Sequence, residues 1–224
     1  MPRDYWLTIV QLIGVVQCTF IACALLYLPG SHRHASRWLS GLFGTWALMF
    51  GYMALRQNDL EHLAPVVAFL RLPLFFLCGP LLYLYLRQVS CVGRQVDLRD
   101  AALHLVPFVV VLLAYLPSIA LGHDDLLAML YSRELRQDGA GRAIQLWLLT
   151  ITRFVLQLFV LHLLTYVVLC LRVLVQHKRR VLQHFSRLDK VSLDWMRNLL
   201  IVLVLLWISA ACSQILFANT AIGR

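Results

Sequence analysis

Apolar residues run along this chain in long blocks separated by short polar stretches, the pattern of membrane spans and not of a greasy soluble core. A helix needs roughly 20 apolar residues to cross about 30 Å of hydrocarbon. Six blocks meet that length, at positions 5–28, 37–55, 66–89, 102–120, 143–175 and 195–217. The fifth is long enough to continue past a membrane as a helix. The polar connections are Pro29–Ser36, Arg56–Pro65, Ser90–Ala101, Leu121–Arg142 and Gln176–Asp194. The expected fold is therefore all-α: a polytopic transmembrane helical bundle of six spans, forming one domain over residues 1–224. The first block opens directly after Met1-Pro2-Arg3-Asp4 and is too long for a signal-peptide core, so it reads as a span retained in the product.

Composition agrees with that reading. Hydrophobic residues fill 61% of the 224 positions and charged residues 14%, with a mean hydropathy of +0.75, whereas soluble domains carry about a quarter charged residues. The six cysteines show no CxxC or other metal spacing, and five lie inside apolar blocks, where cysteine behaves as a small hydrophobe.

Charge sets the expected orientation. The first, third and fifth connections with their flanks hold twelve of the 20 Lys and Arg residues, and the other side holds six. Acidic residues lean the other way, with Asp4, Asp59, Glu61, Asp124, Asp125, Glu134 and Asp138 on the less basic side. The positive-inside rule then places both termini outside a bacterial inner membrane. The net charge of +9 consequently does not suggest direct nucleic-acid binding. Its main concentration, in the loop 176–194, is placed to touch anionic lipid headgroups, at about 1 kcal/mol per basic residue, or a cytoplasmic partner. The longest external loop, 121–142, mixes Leu126, Leu127, Leu130 and Leu135 with charged residues. That pattern fits a short amphipathic helix, either a lid over the bundle or an element resting on headgroups.

Within the blocks a few residues stand out. Gly41, Gly44, Ala47, Gly51 and Ala54 lie on one face of the second span, suited to close packing inside the bundle or to a homodimer through Gly41, Gly44 and Gly51. Pro73 and Pro80 are expected to bend the third span. Ionisable groups at membrane depth are costly and so are candidates for function. Arg71 falls near the outer end of the third block; Arg153 falls about 15 Å into the fifth, at 1.5 Å per residue. Thr150, Arg153 and Gln157 share a helical face. Pointing into the bundle, that stripe would offer a guanidinium to a carboxylate or phosphate. Alternatively Arg153 pairs with carbonyls or another helix, and Arg71 snorkels to the outer interface. The candidate ligand-binding set is thus Arg153, Gln157, Thr150 and Arg71.

The histidines give no metal-ligand spacing: no HExxH and no i, i+4 pair lies inside a span. His104 opens the fourth span, and His162 lies half a turn out of phase with Arg153. They read as helix contacts, with no metal, cofactor or catalytic residue expected and no enzyme motif found. A membrane enzyme or haem protein using these dispersed histidines is the alternative. A small transporter is a further one, disfavoured by the lack of an acidic residue within a span.

Three segments carry a family resemblance. Leu77-Cys78-Gly79-Pro80-Leu81-Leu82-Tyr83 resembles the GPLLY segment of membrane-bound AraC-type transcriptional regulators, and His104-Leu105-Val106-Pro107-Phe108 resembles the H-x-x-P-F that opens their fourth span. Phe185-Ser186 followed by Leu193-Asp194-Trp195-Met196-Arg197-Asn198-Leu199-Leu200 is similar to the entry of their penultimate span. The resemblance implies a multi-span sensor domain that precedes a cytoplasmic helix-turn-helix DNA-binding domain. A chain ending at Arg224 after six spans is then expected to be part of a longer regulator, reaching DNA only through a missing C-terminal domain. The implied function is signal sensing: a small hydrophobic or amphipathic ligand shifts helix packing and so the output domain.

Overall fold

The structure, a computed structural model, describes residues 5–27, 33–60, 62, 65–90, 97–127, 139–184, 198 and 201. The sixth expected span, 195–217, lies outside the described residues except for 198 and 201, and so does about half of each of the loops 121–142 and 176–194. Every described element is helical. The helices are α1 (Tyr5–Tyr27), α2 (Arg33–Gln57), α3 (Pro65–Ser90), α4 (Leu98–Tyr115), α5 (His123–Leu127) and α6 (Gly139–His184), with a 3₁₀ segment at Leu116–Ala120 following α4. Contacts divide the chain into two compact units, Met1–Tyr166 and Val167–Arg224.

Five of these helices are long and apolar enough to cross a membrane: Tyr5–Tyr27, Arg33–Gln57, Ala68–Ser90, Arg99–Ala120 and Gly139–Arg179. Their outward faces carry large apolar side chains, among them Trp6, Val16 and Phe20 on α1, Val110 and Leu113 on α4, and Leu161 and Leu164 on α6. A water-soluble monomer exposes apolar patches of only a few hundred Å². Here apolar residues cover the outside and most of the hydrogen-bonding side chains point between helices, which is the arrangement a lipid solvent selects.

In the first unit, successive helices pack antiparallel as neighbours. Between α1 and α2, the Ser40 hydroxyl donates to the Ala22 carbonyl (2.8 Å) and the Asn58 amide donates to the Thr8 hydroxyl (3.2 Å). Midway between those bonds, Gly14 makes room for Phe50, whose ring would lie 3.0 Å from a Cβ at that position. Between α2 and α3, Gly41 faces Leu81 and Arg71 covers the Tyr52 ring. The small-residue face of α2 is thus shared: Gly41 looks toward α3 and Gly51 toward Val15 of α1, while Gly44 has no neighbour of this kind among the described residues. Between α3 and α4 stands the Arg87–Asp100 ion pair (2.9 Å). The core at the other end of the bundle gathers Phe69, Phe76, Val111, Tyr115, Leu121, Leu126, Leu148 and Val155.

Several boundaries differ from the sequence reading. Helix α2 begins at Arg33 and α6 at Gly139, and α6 runs on to His184. Residues 33–36, 139–142 and 176–184, which the pattern of apolar blocks assigns to connections, are helical. Polarity ends an apolar block, but a helix that leaves a membrane keeps its own backbone bonds until a breaker intervenes. The fourth span ends as an α-helix at Tyr115, because Pro117 has no N–H for an i−4 bond and the chain tightens into 3₁₀ form. The described residues of the loop expected at 121–142 hold the five-residue helix α5 and the start of α6, and Leu126 of α5 is buried in the core.

Candidate functional site

Two of the three segments that carry the family resemblance meet in space, and the third, at 185–200, lies outside the described residues except for 198. Gly79, Pro80 and Tyr83 lie within about one turn of α3, and His104 lies near the start of α4. With His162 and Tyr166 of α6 they form one polar and aromatic junction among three helices. His104 Nδ1 and the Tyr166 hydroxyl are 3.0 Å apart, and that hydroxyl is 3.2 Å from the His104 carbonyl. Both contacts are satisfied when His104 donates from Nδ1 to Tyr166 and Tyr166 donates back to the carbonyl. Tyr83 stacks edge-on against His104 (4.7 Å between centroids) and reaches Tyr166 (6.1 Å).

Pro80 explains His162. In a regular helix the Phe76 carbonyl would accept from the N–H of residue 80, and proline has none. His162 fills the gap: its Nε2 lies 3.1 Å from the Phe76 oxygen, so Nε2 carries the proton and donates. The ring also packs on Phe76 (4.8 Å) and on Tyr166 (4.7 Å). Gly79 is the second requirement of the motif. A Cβ there would come within 2.8 Å of the Tyr166 ring, so only glycine lets α6 approach α3 this closely. Sequence reasoning treated His104 and His162 as separate helix contacts. The available signal was the carbonyl that Pro80 leaves without a donor, but its partner is 86 positions away.

The sequence-predicted residues occupy two other places. Thr150, Arg153 and Gln157 do share a face, and it is the one opposite to His162 and Val155, pointing away from α3 and α4. With Leu146, Leu149 and Phe154 they line a groove of about 440 Å³. The Thr150 hydroxyl donates to the Leu146 carbonyl (2.8 Å). Arg71 faces inward instead. Its guanidinium sits 5.2 Å above the Tyr52 ring, a cation–π contact, and its Nε is buried with no hydrogen-bond partner among the described residues. Close by on α4 and α6, the Tyr115 hydroxyl bonds to Thr152 (2.8 Å).

The levels of these groups along the bundle follow from helical rise. Helices α3 and α6 run parallel, and Phe76 is level with His162. Five residues earlier on each, Arg71 and Gln157 are level with one another. Tyr166 is level with His104, one turn from the Arg87–Asp100 pair. Arg153 stands thirteen residues before Tyr166, which puts it about 25 Å from that pair at 1.5 Å per residue.

Among the described residues, no three His, Cys, Asp or Glu side chains gather as a metal site requires. No protein-family model, curated protein or solved structure matches this chain.

Proposed function

We propose that this chain is the membrane-embedded signal-sensing domain of an AraC-type transcriptional regulator. A small hydrophobic or amphipathic ligand is read at the Thr150, Arg153 and Gln157 face. The resulting shift of α6 is passed to α3 and α4 at the junction on its opposite face, and from there to a cytoplasmic DNA-binding domain of the full-length regulator. The observation that carries this reading is the convergence of Gly79, Pro80, Tyr83 and His104 with His162 and Tyr166. Segments that look like separate family signatures make up a single contact between three helices.

The chemistry of the junction suits a two-position device. Its parts are directional hydrogen bonds and edge-on ring contacts, which tolerate a few discrete packings and not a continuum. A ligand biases the device only through unequal affinity for the packings. The distribution of basic residues places the Arg87–Asp100 end toward the cytoplasm of a bacterial cell, with six spans in the bundle and both termini of this segment outside. Gly44, with no such neighbour among the described residues, leaves the homodimer contact through α2 as part of the same proposal. The haem alternative fits His162 less well, because its Nε2 is committed to the Phe76 carbonyl.

Transcript profiling of a deletion strain in the source organism tests the regulator reading. A defined gene set should change expression and be restored by the wild-type gene, but not by a His162→Leu form. An unchanged transcriptome together with a lost transport or enzymatic capacity would overturn it.

A further inference from the structure

We infer that the groove on the outward face of α6 binds a single-chain acyl acid whose head also bears a hydroxyl or amide N–H donor. The inference rests on the reading of Thr150, Arg153 and Gln157 as a ligand site, though not on any regulatory output.

The donor and acceptor inventory of the groove carries it. Arg153 is exposed among Leu146, Leu149 and Phe154, and no acidic side chain among the described residues pairs with it. A guanidinium set in an apolar wall recruits an anion, and its planar fork matches a carboxylate. Thr150, one turn away, behaves differently. Its single hydroxyl proton already goes to the Leu146 carbonyl, so toward a ligand it presents lone pairs alone. It therefore accepts, and a plain carboxylate has nothing to give it. A head with both an acid and an O–H or N–H donor a few bonds away satisfies Arg153 and Thr150 together. Gln157, one turn further along, can donate or accept.

Position and size agree. Arg153 is about 25 Å from the Arg87–Asp100 pair, against a hydrocarbon thickness of about 30 Å. With that pair at one membrane boundary, Arg153 lies within a few ångströms of the other, where an acidic head resides while its chain descends past Phe154. Arg153 is then a boundary residue and not one buried at mid-membrane. The groove, at about 440 Å³, falls in the lower part of the range of about 300–1,000 Å³ for small-molecule sites. That space suits one acyl chain better than the two of a phospholipid.

The test is binding to the full chain in nanodiscs of zwitterionic lipid, read by fluorescence of the neighbouring Trp147. Three probes share one chain length: 3-hydroxydodecanoate, dodecanoate and dodecan-1-ol. The hydroxy acid should bind about fivefold tighter than dodecanoate, the worth of one hydrogen bond of about 1 kcal/mol. The alcohol should bind at least tenfold more weakly than dodecanoate, on the scale of a lost charge-assisted bond. Thr150→Val should erase the preference for the hydroxy acid and leave dodecanoate unchanged. Arg153→Gln should erase the preference for acid over alcohol, while Arg153→Lys keeps part of it. Both positions are exposed, so the variants retain the fold, with thermal unfolding as the control. Equal binding of all three probes, or a hydroxy preference that survives Thr150→Val, would overturn the inference. So would displacement of the probes when phosphatidylglycerol is added to the nanodiscs, since a bilayer lipid would then be the occupant. None of these outcomes changes the transcript profile of the deletion strain, which decides the regulator reading separately.

Discussion

At the scale of single residues, the bond from His162 to Phe76 exists because of Pro80, and the dependence can be measured. His162→Leu leaves a buried carbonyl without a donor and should cost about 1–3 kcal/mol, seen as a lower thermal midpoint in detergent. Pro80→Ala returns an N–H to α3, so His162→Leu should cost much less in that background. Equal costs in the two backgrounds would disprove the link. Gly79 makes a parallel case. Gly79→Ala drives a methyl to 2.8 Å from the Tyr166 ring and should destabilise by about 1–3 kcal/mol. Pairing it with Tyr166→Ala should recover part of that loss, because the two positions touch and their effects do not add. The Arg87–Asp100 pair offers a contrast. Its side chains are 33% and 45% exposed, so Arg87→Gln should shift stability by less than about 1 kcal/mol.

At the scale of elements, apolar run length was enough to find all five described helices that are long and apolar enough to cross a membrane. It was a poor guide to their ends, since Arg33–Ser36 and Gln176–His184 are polar yet helical. A helix boundary is set by backbone bonding, whereas an apolar boundary is set by the solvent, and the two coincide only when a breaker stands at the interface. The shared face of Thr150, Arg153 and Gln157 was legible from 100° per residue. The direction in which it points was not, because phase within one helix says nothing about where its neighbours stand. Arg71 was visible as an intramembrane cation, but its seat on Tyr52 needed the packing of α2 on α3. The junction was least legible, since its members come from three helices and only their tertiary approach makes them one site. Helix α6 thus presents a groove on one side and the junction on the other. Substitutions at the two faces are far enough apart to be independent, so Arg153→Gln and His162→Leu should add in stability within about 0.5 kcal/mol.

At the scale of the whole molecule, the apolar outer surface and the two charged levels predict where a membrane sits. In a cysteine-free background, Leu146→Cys, beyond Arg153, should react with a membrane-impermeant maleimide added from outside the cell. Leu161→Cys, about 12 Å further along α6 than Arg153, should be protected. Labelling of Leu161→Cys would overturn this placement of the membrane, and labelling of Leu146→Cys only after the cells are permeabilised would invert the orientation. The order of contacts also has a bearing on how the protein is made. Helices α1 and α2 already complete their hairpin at Ala22–Ser40 and Thr8–Asn58, and α3 and α4 join in turn, each against the helix just before it. A ribosome feeding the membrane from the N-terminus can therefore deposit this bundle in sequence, without leaving early helices to wait for distant partners. The contacts of α6 with α3 are the exception, the bond from His162 to Phe76 among them. From the synthesis of Phe76 until α6 arrives, the nascent chain carries an unpaired carbonyl in the membrane, so late insertion of α6 is the step at which biogenesis is most exposed to quality control.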